Sequence, residues 1–141
     1  MKRLLAVLLL VSLCGCSAAQ LRKEFIGYSI HDVKTSKNKQ TQSFDMSASD
    51  CIAKIKDALK DMEAIVREDG RKQYIAADNF QKAFHSAIDT TAVGILVTSR
   101  AANKCDVEIA SDNIGLAVFV SKEISKKLNS RPEEEGQEAT K

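Results

Sequence analysis

Apolar residues recur along this chain in two periods, and the switches between them mark its elements. An apolar run from Leu4 to Leu13, interrupted only by Ser12, follows Met1-Lys2-Arg3. At about ten residues it is half the length of a bilayer span and has the build of a secretory signal. From Ser17 to Ser43 the composition turns polar, with Lys34, Lys37, Lys39, Gln40 and Gln42, as in a tether. Phe25-Ile26-Gly27-Tyr28-Ser29-Ile30 is the apolar exception within it. That patch reads as an edge strand, a docking segment for a partner, or a stretch lying against its own domain. Phe44 and Met46 then alternate with Asp45 and Ser47, a short strand pattern, and Ser49 and Asp50 supply helix-cap chemistry. Ile52, Ile55, Leu59, Met62 and Val66 are spaced by three or four residues, which predicts an amphipathic helix from about 50 to 68 that Gly70 ends.

Gln73 to Phe80 reads as a strand, followed by an irregular piece through Ile88. Thr91, Val93, Ile95 and Val97 share one parity of a run whose other parity holds Gly94 and Leu96, the pattern of a buried central strand. Gly94 inside it marks either a bulge or a close approach by a helix. Ser99 to Lys104 reads as a loop, and Cys105, Val107 and Ile109 form the half-buried face of an antiparallel partner. Residues 114–128 carry mixed signals: Val118-Phe119-Val120 favours strand, while Leu116, Val120, Ile124 and Leu128 recur every four residues. The repeat and the closing Lys126-Lys127, suited to a helix C-terminus, favour helix. The predicted class is α+β: a two-layer sandwich in which an antiparallel sheet of about four strands lies under two helices, in the order β-α-β-β-β-α. The predicted domains are a leader (1–15), a lipid-anchored tether (16–43), the α+β domain (44–129) and a disordered tail (130–141).

The end of the leader is specific. Leu13-Cys14-Gly15-Cys16 resembles the lipobox of bacterial lipoproteins, with an aliphatic residue three before the modified cysteine and a small residue just before it. The resemblance implies cleavage after Gly15 and diacylglyceryl attachment, with palmitate-type chains, to the Cys16 sulfur. Several acyl chains at ~0.8 kcal/mol per buried methylene hold a protein on a membrane where one is marginal. Ser17, in place of the aspartate that retains such proteins at the inner membrane of well-studied diderms, favours the outer membrane facing the periplasm. The element order resembles small bacterial envelope lipoproteins and, more distantly, domains of the BamC-like accessory lipoproteins of outer-membrane assembly. Leu13 to Cys16, the Ile52 to Val66 helix and the Asp89-Thr90-Thr91 to Ile109 hairpin carry that likeness.

Of the four cysteines, Cys14 leaves with the leader and Cys16 takes lipid, so Cys51 and Cys105 remain as an even pair in a compartment where disulfides persist. A bridge between them would close a loop of about 55 residues and contribute roughly 4 kcal/mol; two separate buried thiols are the alternative reading. Charge narrows the function. Losing Lys2 and Arg3 leaves 19 of the 21 basic residues against 19 acidic ones, without the excess that nucleic-acid binding draws on. No phosphate loop, nucleophile elbow or metalloprotease motif occurs. His31 and His85 are isolated, and a metal site would have to gather His85, Asp78 and Asp89 from separate segments.

The sequence therefore predicts no catalytic residues, no metal and no cofactor. It predicts a non-enzymatic, membrane-anchored accessory or scaffold that binds another protein of the cell envelope. The candidate contact residues are Phe25, Ile26, Tyr28 and Ile30, together with an exposed sheet edge suited to strand addition. The alternative is a lipid or small-ligand carrier with an apolar cavity lined by Ile55, Leu59, Val93, Ile95 and Val107.

Overall fold

The computed structural model describes residues 28–69, 73–80, 83 and 92–130. Its elements are α1 (Ile30–Thr35), β1 (Gln40–Phe44), α2 (Ala48–Asp61), β2 (Ile65–Asp69), β3 (Tyr74–Asp78), β4 (Val93–Ala101), β5 (Lys104–Ala110) and α3 (Ile114–Asn129). All strand pairs are antiparallel, in the order β1-β5-β4-β3-β2, so the chain is α+β with an open five-stranded sheet. The alternating residues around Val93 to Val97 do form the central strand.

Strand parity sorts the sheet into two faces. Val93, Ile95 and Val97 of β4, Cys105, Val107 and Ile109 of β5, and Ile75 and Ala77 of β3 point to one face and meet α2 and α3 there. Ser47 caps α2 by accepting from the Asp50 amide at 3.2 Å, and the helix buries Cys51, Ile55, Ala58 and Leu59. Asn113 caps α3 through the Leu116 amide at 3.2 Å, and Leu116, Val120, Ile124 and Leu128 turn inward as their spacing predicts.

The structure departs from the sequence reading in four places. The helix begun at Ala48 ends at Asp61 and not near 68, because Glu63 takes a left-handed φ of 54° and Ala64 bonds back to the Leu59 carbonyl at 3.0 Å. A non-glycine residue rarely holds that conformation, so no breaker is visible at this point. The β-branched pair Ile65-Val66 then starts β2, the fifth strand, which pairs along β3 from Ile65–Asp78 to Asp69–Tyr74. The hairpin expected from the short connection after β4 is there, but its loop is shorter than Ser99 to Lys104: β4 runs to Ala101 and Lys104 opens β5, with an irregularity between Ser99 and Ala101. The first strand covers 40–44 and leaves Met46 outside.

The fourth departure concerns the opposite face of the sheet. The stretch read as a tether contributes α1 and β1 to the fold. Ser29 and Asp32 form a reciprocal capping box on α1, and Val33 is fully buried beneath it. Tyr28, Val33, Tyr74, Leu96 and Ala110 make a second apolar cluster. It closes over Gly94, where an added Cβ would lie 2.6 Å from Val33 Cγ2 and 2.8 Å from Tyr28 Cβ. The glycine is there for a close approach, made by the short helix at the start of the described chain.

Candidate functional site

Cys51 and Cys105 come together at disulfide distance between the first turn of α2 and the start of β5. Both residues are fully buried, so the position of Cys51 near a helix start does not present a thiolate to solvent. The pair ties the helix layer to the strand that sits between β1 and β4.

Tyr28 and Ile30, two of the four candidate contact residues, belong to the domain's own packing. Tyr28 is 4% exposed, and Ile30 packs at the margin of the second cluster. Phe25, Ile26 and the lipidation candidate Cys16 lie outside the described residues, as do His85, Asp89 and the tail from 131. His31 stands on the exposed side of α1, and its carbonyl accepts from Thr35 Oγ1 at 2.8 Å.

Beside α1 lies a polar hollow of about 260 Å³ whose walls include Tyr28, Asp32, Ser111 and Asp112. The Tyr74 hydroxyl donates to the Tyr28 carbonyl at its edge. Burial, reinforced by hydrogen bonding to Asp112 and by the charge of Asp32, holds the Tyr28 phenol protonated far above its ordinary range. Burial and then Asp32 do the same for Tyr74. Phenols in that state are donors and not bases near neutral pH. Of the readings of the Phe25 to Ile30 patch, the one in which it lies against its own domain holds for Tyr28 and Ile30; the helix that follows was missed, although Ser29-x-x-Asp32 is a legible capping signal.

A second hollow, of about 320 Å³, lies between the ends of α2 and α3, bounded by Ala58 and Met62 and rimmed by Asp61, Glu123, Lys126 and Lys127. Lys127 bonds Asp61 at 2.8 Å, and this contact raises its pKa above the ordinary lysine range. The five residues considered for an apolar cavity, Ile55, Leu59, Val93, Ile95 and Val107, are packed in the one core under α2 and α3. Among the described residues no group of three or more His, Cys, Asp or Glu converges on one point, and no helix is long and apolar enough to cross a membrane.

Among the described residues, the other surface features are the two edge strands and three exposed large apolar residues, Ile65 at 50%, Ile114 at 52% and Val118 at 47%. β2 carries Arg67, Glu68 and Asp69, with Arg67 paired to Asp78 at 2.9 Å. β1, Gln-Thr-Gln-Ser-Phe, carries no charge. Gln42 reaches under α3, where its Nε2 donates to Ser121 Oγ at 2.7 Å and its Oε1 accepts from Ser125 Oγ. No protein-family model matches this sequence, and no curated protein matches it at a significant level.

Proposed function

We propose that this chain is a bacterial lipoprotein, acylated at Cys16 and held at the cell envelope, with the outer membrane facing the periplasm favoured. Its folded domain serves as a non-enzymatic accessory or scaffold for another envelope protein. One observation carries the reading: Leu13-Cys14-Gly15-Cys16 directly behind a ten-residue apolar run. The Cys51 and Cys105 sulfurs at disulfide distance support it, because such a pair suits an oxidising compartment. Tethering is the mechanism: an anchored domain meets membrane partners at a high effective concentration and needs little intrinsic affinity. Partner contact then falls to Phe25 and Ile26 and to an exposed sheet edge, since Tyr28 is occupied in the domain's own packing.

The full chain and its Cys16→Ser variant, expressed in bacterial cells fed an alkyne fatty acid, test the anchor. Label on the parent and none on the variant supports it, whereas equal labelling overturns it. Crosslinking in intact cells tests the role. A reproducible envelope protein supports the scaffold; bound lipid extracted with the domain, and no protein, replaces it with the carrier.

A further inference from the structure

We infer that the β1 edge, together with the flank of α3 above it, is a surface that pairs with a second copy of this chain about a two-fold axis. Unprotected edge strands template pairing, and natural proteins blunt them with charges, prolines or bulges. β2 has such protection: a two-fold pairing centred on Arg67 sets two guanidinium groups against each other and Ile65 against Asp69. β1 has neither charge nor proline.

The occupant follows from the pattern of the strand and its flanks. Antiparallel pairing of β1 with its own copy, centred on Gln42, sets Thr41 opposite Ser43 and Gln40 opposite Phe44. It also brings Lys39, just before the strand, opposite Asp45, just after it, and the symmetry repeats this at the other end. Each contact thus matches the surface with itself, as an isologous interface requires. Both charges retain capacity for the new contact. Lys39 gives one of its three donors to Glu108 at 2.8 Å, while the Asp45 side chain is 89% exposed with Lys104 at 3.6 Å.

α3 extends the same surface. Ile114, Val118, Ser121 and Ser125 follow at spacings of four, three and four, which places them along one stripe of the helix. Ser121 and Ser125 are the residues that hold Gln42, so the exposed Ile114 and Val118 lie on the flank of α3 that faces the β1 edge. Joining two sheets at β1 brings this flank alongside its counterpart and covers Ile114 and Val118, two of the three exposed large apolar side chains among the described residues. The pairing does not depend on the anchor.

The test places the photocrosslinking residue p-benzoylphenylalanine at exposed Thr41 in the full chain, produced in bacterial cells and irradiated there. The expected product is a dimer of this chain whose crosslink maps to residues 41–45 of the second copy. Lys39→Glu and Asp45→Lys should each lower its yield about five-fold, and the double exchange should restore it. Val118→Lys, at an exposed position, should lower it similarly while the thermal midpoint stays unchanged. A crosslink to the chain's own residues, to a different protein, or to none overturns the proposal, as does a dimer indifferent to all these substitutions. Where a charge variant fails to fold, the crosslink position in the parent and the Val118→Lys result decide.

Discussion

Replacing Gly94 with alanine should loosen the second face of the sheet while leaving the main core intact. The new methyl group would sit 2.6 Å from Val33 Cγ2, 2.8 Å from Tyr28 Cβ and 3.2 Å from the Tyr74 hydroxyl. Carbon atoms in ordinary contact are ~3.5–4.0 Å apart, so two atoms of the Tyr28–Val33 segment must each retreat by about 1 Å. Neither has room, since Val33 is fully buried and Tyr28 nearly so. Overpacking of this kind costs about 1–3 kcal/mol. Losing the freedom of glycine in the unfolded chain returns about 0.5–1. The expected net loss is therefore ~1 kcal/mol, and at most about 2.5, in urea unfolding followed by circular dichroism. A second readout comes from the protein's own chromophores, because Tyr28 and Tyr74 are its only tyrosines and it has no tryptophan. If α1 lifts away, tyrosinate absorbance at 295 nm should rise near the ordinary pKa of about 10. Val33→Ala in the Gly94→Ala background removes the closest clashing atom, so the two changes should cost less together than their separate sum. Stability of Gly94→Ala within ~0.5 kcal/mol of the parent, with both tyrosines still silent at pH 11, would refute the close approach.

In the parent, both phenols hold their protons in the folded state well past the pH at which an unfolded chain releases them. The two phenols contribute no pH dependence below about pH 9; above it stability falls as pH rises, by roughly 1.4 kcal/mol per tyrosine at pH 11, and thermal midpoints from pH 8 to 11 check this. Closing the Cys51–Cys105 loop, with its separation of 54 residues, contributes about 4 kcal/mol on the chain-entropy account. Cys51→Ser/Cys105→Ser should lose an amount of that order in urea, and the oxidised parent should titrate without free thiols at these positions. Ile55→Ala, on the fully buried face of α2, should cost about 2–5 kcal/mol by the same assay without altering the tyrosine titration.

Legibility followed how strongly each element depends on apolar alternation. β4, β5 and α3 bury one face of side chains in the main core, so Val93-Ile95-Val97, Cys105-Val107-Ile109 and the four-residue repeat of α3 announced themselves. β1 was misplaced because Phe44 is the one apolar residue on its inward face: Gln42 beside it meets two serines of α3, so no hydrophobic alternation runs along 40–44. β2 was absorbed into the preceding helix because Val66 continues the helical spacing, while the residue that stops the helix is a glutamate with positive φ. The approach to Gly94 was legible as an alternative, but its agent was not. The helix over it has six residues and rests on Val33, Tyr28 and a capping box, too little periodicity to detect.

Folding α1 and β1 into the domain changes the geometry of the proposed anchor. A tether running from Cys16 to residue 43 could span roughly 90 Å at ~3.3 Å per residue. The described domain already begins at Tyr28, which is buried, so a chain anchored at Cys16 has twelve steps and reaches at most ~40 Å. That bound holds whatever conformation those residues adopt. In an anchored chain this would keep the second face of the sheet, where the described chain begins, near the bilayer, and would make the Tyr28–Val33 packing over Gly94 the first described structure to bear any pull between anchor and domain. The Cys51–Cys105 pair and the main core lie behind it, joined through β5. Under tension, α1 should therefore release before the sheet opens, which lengthens the tether without unfolding the partner surface. Gly94→Ala should produce the same extension without load. In an anchored chain it should increase the distance between bilayer and domain, measured by energy transfer from a lipid dye to a label at exposed Asp57, while the β4–β5 pairing persists.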